Sequence, residues 1–185
     1  MNDADLLAAL RRQALLEGDF VLRSGRRSRW YLDKYRFETR PEVLRPLGER
    51  LAAAVREHEP DATLLAAPEL GAVVLAAAAS LASGLPFVIV RREAKAYGTA
   101  KRIEGAFERG ERACLIEDIV TSGGAALAAV EALREAELEC RTAICVVDRE
   151  EGGVDQLARH AVRLWPLYRA SQLLEEAKTA ANPRG

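Results

Sequence analysis

No stretch of this 185-residue chain approaches the ~20 consecutive apolar residues that a membrane-spanning helix needs. Its opening, MNDADLLAALRRQ, is acidic and amphipathic, whereas a secretory leader is basic and then apolar. Both absences predict a soluble, cytoplasmic protein with no membrane partner. A surplus of one charge is also lacking, since 27 Lys and Arg against 28 Asp and Glu leave a formal net charge of −1. Binding nucleic acid through its phosphates requires a basic field, so no nucleic-acid partner is expected and any anion site must be local. The three cysteines, Cys114, Cys140 and Cys145, form no C-x-x-C pair and lie in apolar segments, which predicts reduced core thiols rather than a disulfide framework. The two histidines, His58 and His160, stand in charged helical contexts and read as surface residues without a chemical role. There is no internal repeat and no low-complexity linker.

With 49% hydrophobic residues, the chain has the apolar material for one domain of ordinary size. Residues 3–17 read as an amphipathic helix ending at Gly18. FVLRSGRRSRWYLD (20–33) reads as a hairpin turning at Ser24 and Gly25, with Arg26, Arg27 and Arg29 on a solvated face and Trp30 a packing residue, like Trp165. A helix follows from Pro41 to Glu57, the proline suiting its first turn. Strands and helices then alternate: strand 62–67, helix 72–83, strands 87–90 and 113–120, helix 125–136, strand 142–147. A helix-like stretch over 156–160, a strand over 162–167 and a helix over 170–179 complete the chain. This order predicts an α/β fold, a mostly parallel sheet flanked by helices, with an N-terminal hairpin or hood (1–40), an α/β core (60–150) and a long basic arm (91–112). In such sheets ligands gather beyond the carboxyl ends of the strands. The loops 68–71, 121–124 and 148–153 should therefore converge on one site.

The stretch CLIEDIVTSGGA (114–125) carries the strongest chemical signal. Its β-branched apolar run reads as a buried strand, yet Glu117 and Asp118 sit near the end of it. Buried, unpaired carboxylates are costly, so the strand should open on a cleft where acids meet a metal ion or a polyhydroxyl ligand. Thr121, Ser122, Gly123 and Gly124 then form a tight turn into a helix. Free backbone N–H groups and the positive end of the helix dipole make such a turn a phosphate cradle.

The arm, RREAKAYGTAKRIEGAFERGER (91–112), is too long for an ordinary connection and begins at the same sheet end. Taken with the acidic pair and Thr-Ser-Gly-Gly, it resembles the phosphoribosyl-diphosphate (PRPP) site of type I phosphoribosyltransferases. RREAKAYG is similar to the basic mobile loop of the orotate phosphoribosyltransferase family, FVLRSGRRSRWYLD to its substrate-side hairpin, and VVDREEGG (146–153) to the segment that carries an orotate-binding arginine. The resemblance runs from about Gly18 to Gly153.

That resemblance implies transfer of a phosphoribosyl group from PRPP to orotate in pyrimidine biosynthesis, with Mg²⁺ held mainly by substrate and water. It implies PRPP contacts from Arg91, Arg92, Lys95, Tyr97, Glu117, Asp118, Ile119, Val120, Thr121, Ser122, Gly123, Gly124 and Ala125, and orotate contacts from Thr121 and Arg149. Lys95, Glu117 and Asp118 would carry the catalytic load, the acids at the ribose hydroxyls and Lys95 at the leaving pyrophosphate. Arg23 stands where some members have lysine, and Tyr31 and Leu32 where an aromatic pair packs near the base. Tyr97 replaces the usual loop histidine, and a phenol can still hydrogen-bond a phosphate oxygen. Leu70 replaces a lysine found in some members and so takes no pyrophosphate role. A homodimer is also implied, with the arm closing over the neighbouring site. The alternatives are a type I transferase for another base and a non-catalytic PRPP-binding regulator, which would normally show a DNA-binding module or basic surface.

Overall fold

The computed structural model describes residues 1–21, 25, 27–93 and 102–174. Helix α1 (Asp3–Ala14) is capped by Asn2, whose side chain accepts from the Asp5 N–H at 2.8 Å. Aspartates in its first turn and arginines in its last complement the helix dipole. The helix stops three residues short of the predicted end because the chain turns at once into β1 (Leu15–Val21), which pairs antiparallel with β2 (Arg27–Leu32). Leu15 and Leu16 continue the helical apolar pattern, but Leu32 and Tyr31 face them across the ladder, and the Asp33 N–H donates to the Ala14 carbonyl at 2.9 Å. The first hairpin strand therefore starts five residues earlier than its sequence suggests, with an irregularity between Glu17 and Phe20. Arg27 and Arg29 lie on the solvated face as expected, paired with Asp19 and Glu17.

A short helix α2 (Tyr35–Glu38) leads to α3 (Pro41–His58), with Pro41 in its first turn. Val43, Leu47, Leu51 and Val55 fall at three- and four-residue spacing and are buried together, the stripe of an amphipathic helix. The chain then builds β3 (Leu64–Pro68), α4 (Gly71–Ser83), β4 (Phe87–Val90), β5 (Ile103–Glu104), β6 (Arg112–Val120), α5 (Gly124–Glu135), β7 (Glu139–Asp148), α6 (Gly153–Ala158) and β8 (Arg163–Arg169). Residues 170–174 are again helical.

The main sheet has the order β5-β4-β3-β6-β7-β8, and only β5 runs antiparallel to its neighbour. One apolar layer joins the sheet to α1, α3 and α4 through residues such as Leu6, Leu51, Leu75 and Ile116. The other joins it to α5 and α6 through Leu115, Val130, Leu133 and Leu157. From β3 the chain winds outward to β4, and from β6 it winds the other way to β7 and β8. The switch point therefore lies between β3 and β6, where ligands collect in open α/β sheets.

The three cysteines are buried and free. His58 departs from expectation: its ring stacks on that of Trp165 with centroids 3.9 Å apart and planes inclined by 4°. The end of α3 packs across β8, which draws the imidazole into a contact that a charged local sequence does not reveal. Among the described residues no helix is long and apolar enough to cross a membrane.

Candidate active site at the carboxyl ends of the strands

The nine residues of the strand-and-turn motif form one continuous ledge. Glu117 to Val120 end β6, Thr121 and Ser122 are exposed in the turn, Gly123 caps α5, and Gly124 and Ala125 begin it. Gly123 adopts φ +83°, a left-handed backbone that glycine enters without steric cost. A Cβ there would lie 3.1 Å from the Gly153 carbonyl oxygen, and one on Gly153 would lie 2.7 Å from that of Thr121. The β6 and β7 loops thus touch backbone to backbone. No side chain caps the first turn of α5, so its N–H groups are offered to a ligand, the arrangement that binds phosphate.

Strand alternation sends the two acids to opposite faces. Cys114 and Ile116 belong to the α3/α4 layer and Ala113 and Leu115 to the α5 layer, so Asp118 continues the first row and Glu117 the second. Both are buried. Asp118 is held on both oxygens: Oδ1 accepts from the Ile119 N–H at 2.5 Å and Oδ2 meets the Lys34 ammonium at 2.5 Å. Burial, reinforced by the Asp118 charge, pushes the Glu117 carboxyl up to about 8.

Two acids and a lysine gather where the sequence pointed only to the acids of β6. Glu38, at the end of α2, is 2% exposed, and its Oε1 has no hydrogen-bond partner. Burial and the Asp118 charge push its carboxyl up to about 8, with Lys34 acting against them. Burial lowers the Lys34 pKa, but the hydrogen bond and charge of Asp118 more than offset this and the net shift is upward. Gly71, the first residue of α4, lets the helix approach, since a Cβ there would stand 2.2 Å from Asp118 Oδ2 and 2.8 Å from Glu38 Oε1. Lys34 and Glu38 escape sequence reading because they are 84 and 80 positions from Asp118, in a segment with no motif. Their four-residue spacing resembles an ordinary solvated helix pair.

The remaining expected residues arrive from neighbouring strands. The Arg149 N–H donates to the Val120 carbonyl at 2.8 Å, and its guanidinium pairs with Glu151 at 3.1 Å. It also lines a cavity of about 80 Å³ with Ser28, Trp30 and Leu32 of the hairpin and Leu173. Tyr31 points away from that cavity's lining and packs with Phe20, ring centroids 5.4 Å apart. Arg91 and Arg92 follow β4. Arg91 pairs with Glu104 at 3.8 Å, and the Arg92 N–H donates to Glu69 Oε1 at 2.9 Å, tying this strand end to the β3 loop. All three predicted loops therefore reach the same end of the sheet, and Leu70 is exposed. Lys95, Tyr97 and the rest of arm residues 94–101, together with Arg23, lie outside the described residues.

Among the described residues no group of three or more metal-ligating side chains is assembled. The side chains at the strand end are carboxylates and one lysine, which suits a hard Mg²⁺ that keeps its waters and ligand oxygens and takes few protein donors. It does not suit a permanently caged ion.

Residues 41–164 match the phosphoribosyl transferase domain family. The chain is 45% identical over 174 residues to the orotate phosphoribosyltransferase of Methanocella arvoryzae, covering 93% of this chain and 97% of that protein. The crystal structure of orotate phosphoribosyltransferase from Aeropyrum pernix superposes with a TM-score of 0.84 at 31% identity, covering 94% and 98% of the two chains. That of the Mycobacterium tuberculosis H37Rv enzyme in complex with PRPP gives 0.78 at 27% identity, covering 92% and 98%. Similarity at this level runs through the hairpin as well as the strand-end loops, and the chain belongs to the orotate phosphoribosyltransferase family.

Proposed function

We propose that this protein transfers the 5-phosphoribosyl group of PRPP to N1 of orotate, giving orotidine 5′-phosphate and pyrophosphate. The observation that carries the reading is the juxtaposition, at the β3/β6 switch point, of a buried aspartate with an uncapped glycine turn. One can accept from ribose hydroxyls while the other donates to the 5′-phosphate. Arg149, fixed to the same ledge by its backbone, supplies a forked donor matched to a planar carboxylate. Its proximity to the hairpin cavity suits a flat base held between hood and sheet.

The reaction builds positive charge at the ribose C1 and negative charge on the departing pyrophosphate, as in glycoside cleavage. Asp118 and Glu117 fix the sugar by accepting from its hydroxyls, and Arg149 holds orotate with N1 within attacking distance, which converts an encounter into an oriented pair. Arg91, Arg92, Lys95 and Tyr97 would meet the diphosphate from the arm side, neutralise it and exclude water. Mg²⁺ would be held mainly by PRPP and water, with Glu117 and Asp118 as the nearest acids, and would supply further neutralisation of the diphosphate. A homodimer, in which the arm closes over the neighbouring subunit's site, follows from the same family reading.

The decisive experiment is the loss of orotate absorbance on adding PRPP and Mg²⁺, repeated with a chelator and with adenine, guanine, xanthine and uracil as acceptors. Orotate consumption that stops with chelation is expected. Turnover of a different base, or PRPP binding with no turnover of any, overturns the assignment.

A further inference from the structure

We infer that Lys34 and Glu38 are positioning residues for Asp118, holding its carboxylate correctly turned for the ribose of the donor. The inference rests on the reading of Asp118 as a ribose-binding acid and adds two residues that the strand-and-turn motif does not contain. Asp118 and Glu38 reach the same point above Gly71, so two carboxyl groups share one small buried space at the start of α4. Two acids so close cannot both remain ionised without a countercharge. The Lys34 ammonium, 2.5 Å from Asp118 Oδ2, is that countercharge. It treats the two unequally, because it bonds Asp118 and leaves Glu38 Oε1 without a partner.

The geometry assigns different tasks to the two oxygens of Asp118. Oδ1 is turned to the backbone of β6 and Oδ2 to Lys34, so the plane of the carboxylate is fixed before a ligand arrives. Each oxygen keeps a second lone pair for a hydroxyl. Removing the ammonium would leave the two carboxyl groups competing for one buried space, and Asp118 would lose its set orientation. Removing the second acid as well would abolish that competition, since glutamine keeps the shape of Glu38 and can donate to Asp118.

The test is a two-residue cycle read through substrate-specific constants. Lys34→Met should raise KM for PRPP by about ten- to a hundredfold, the span of one charge-assisted hydrogen bond, and leave KM for orotate within roughly twofold, since uniform damage would move both. Lys34→Arg should recover part of the loss. Adding Glu38→Gln to Lys34→Met should return KM for PRPP most of the way to the wild-type value, a rescue that a purely structural role would not produce. Thermal unfolding confirms that each variant is folded, and Lys34→Gln replaces Lys34→Met in the cycle if the latter is not. An unchanged KM for PRPP in the Lys34 variant, or a double variant as impaired as the product of the singles, overturns the inference. Calorimetry of PRPP with Mg²⁺ on the wild-type protein separates the two levels of argument. Absent binding there refutes the ribose-site reading itself, whereas intact binding with an inert Lys34 refutes only the positioning role.

Discussion

Replacing Gly71 by alanine tests the site at its tightest point. The added Cβ would lie 2.2 Å from Asp118 Oδ2, 2.8 Å from Glu38 Oε1 and 3.0 Å from Glu38 Oε2. Carbon and oxygen do not normally approach closer than about 3.3 Å, so either the first turn of α4 or the aspartate must retreat by roughly 1 Å. The aspartate is bonded on both oxygens and Glu38 is buried, so neither acid can simply swing aside. Overpacking of this kind costs about 1–3 kcal/mol, while alanine gains at most ~1 kcal/mol over glycine in a helix, so the clash prevails. A displacement near 1 Å in a positioned group reduces turnover by about 10². Gly71→Ala should therefore lower kcat/KM for PRPP by about that factor, measured from orotate absorbance at saturating orotate, and leave KM for orotate near the wild-type value.

Gly84→Ala provides the comparison. Gly84 ends α4 with φ +79° and has nothing within 4 Å of its Cβ position, so alanine there strains the backbone and lowers the unfolding midpoint without touching the site. A Gly71→Ala enzyme with wild-type kcat/KM for PRPP would show that the start of α4 and Asp118 need not be so close in the working protein, and the argument for a preset ribose acid would fall.

Three further outcomes follow from the proposed reaction and the residues assigned to it. Arg149→Met should raise KM for orotate by about tenfold or more, the worth of a charged hydrogen bond, with a much smaller change for PRPP in the same steady-state assay. Lys95→Ala should lower kcat by about 10²–10³, as for loss of one charge-stabilising donor, and mixing that subunit with an Asp118→Asn subunit should regain activity if the arm serves its neighbour; heterodimers as inactive as their parents would place each site within one chain. The Glu117 carboxyl has a folded pKa of about 8 against about 4.3 when unfolded, so its stabilising contribution is complete below the lower value and is lost as pH rises through the upper one. The unfolding midpoint of the ligand-free protein should decline across that window, and Glu117→Gln should flatten the decline.

The parts of the site that were legible in the sequence are contiguous. An apolar strand, two acids and a glycine turn occupy twelve successive residues, and each is unusual in its setting: acids in a buried strand, glycines before a strong helix former. The parallel order of strands followed from their alternation with helices, and this placed the three loops at one edge. The hood boundary was hidden because Leu15 and Leu16 continue the apolar period of α1, and only the partners across the hairpin, Leu32 and Tyr31, convert them into a strand. Lys34 and Glu38 were hidden for a different reason. Each is ordinary in its own neighbourhood, and their significance comes from a meeting at Asp118 that only the tertiary fold creates. The stacking of His58 on Trp165 belongs to the same class.

The ion pairs at this edge bear on how the site distinguishes its ligands. Lys34 is engaged by Asp118, Arg91 by Glu104 and Arg149 by Glu151. An arriving anion therefore does not meet bare positive charge but must exchange one carboxylate partner for another or join an existing pair. Such exchange gains little from charge alone, because the desolvation of each cation is already partly offset by its protein partner. On the proposed reading, what decides between ligands is fit: a planar carboxylate that engages both arms of Arg149 can displace Glu151 from it, whereas a neutral base offers nothing to replace that pairing. Selectivity for an acidic base over a neutral one would thus arise from the cost of leaving Arg149 unpartnered. A preference of this origin would reside in the β7 loop and the hood, beside the β6 turn proposed to hold the phosphate.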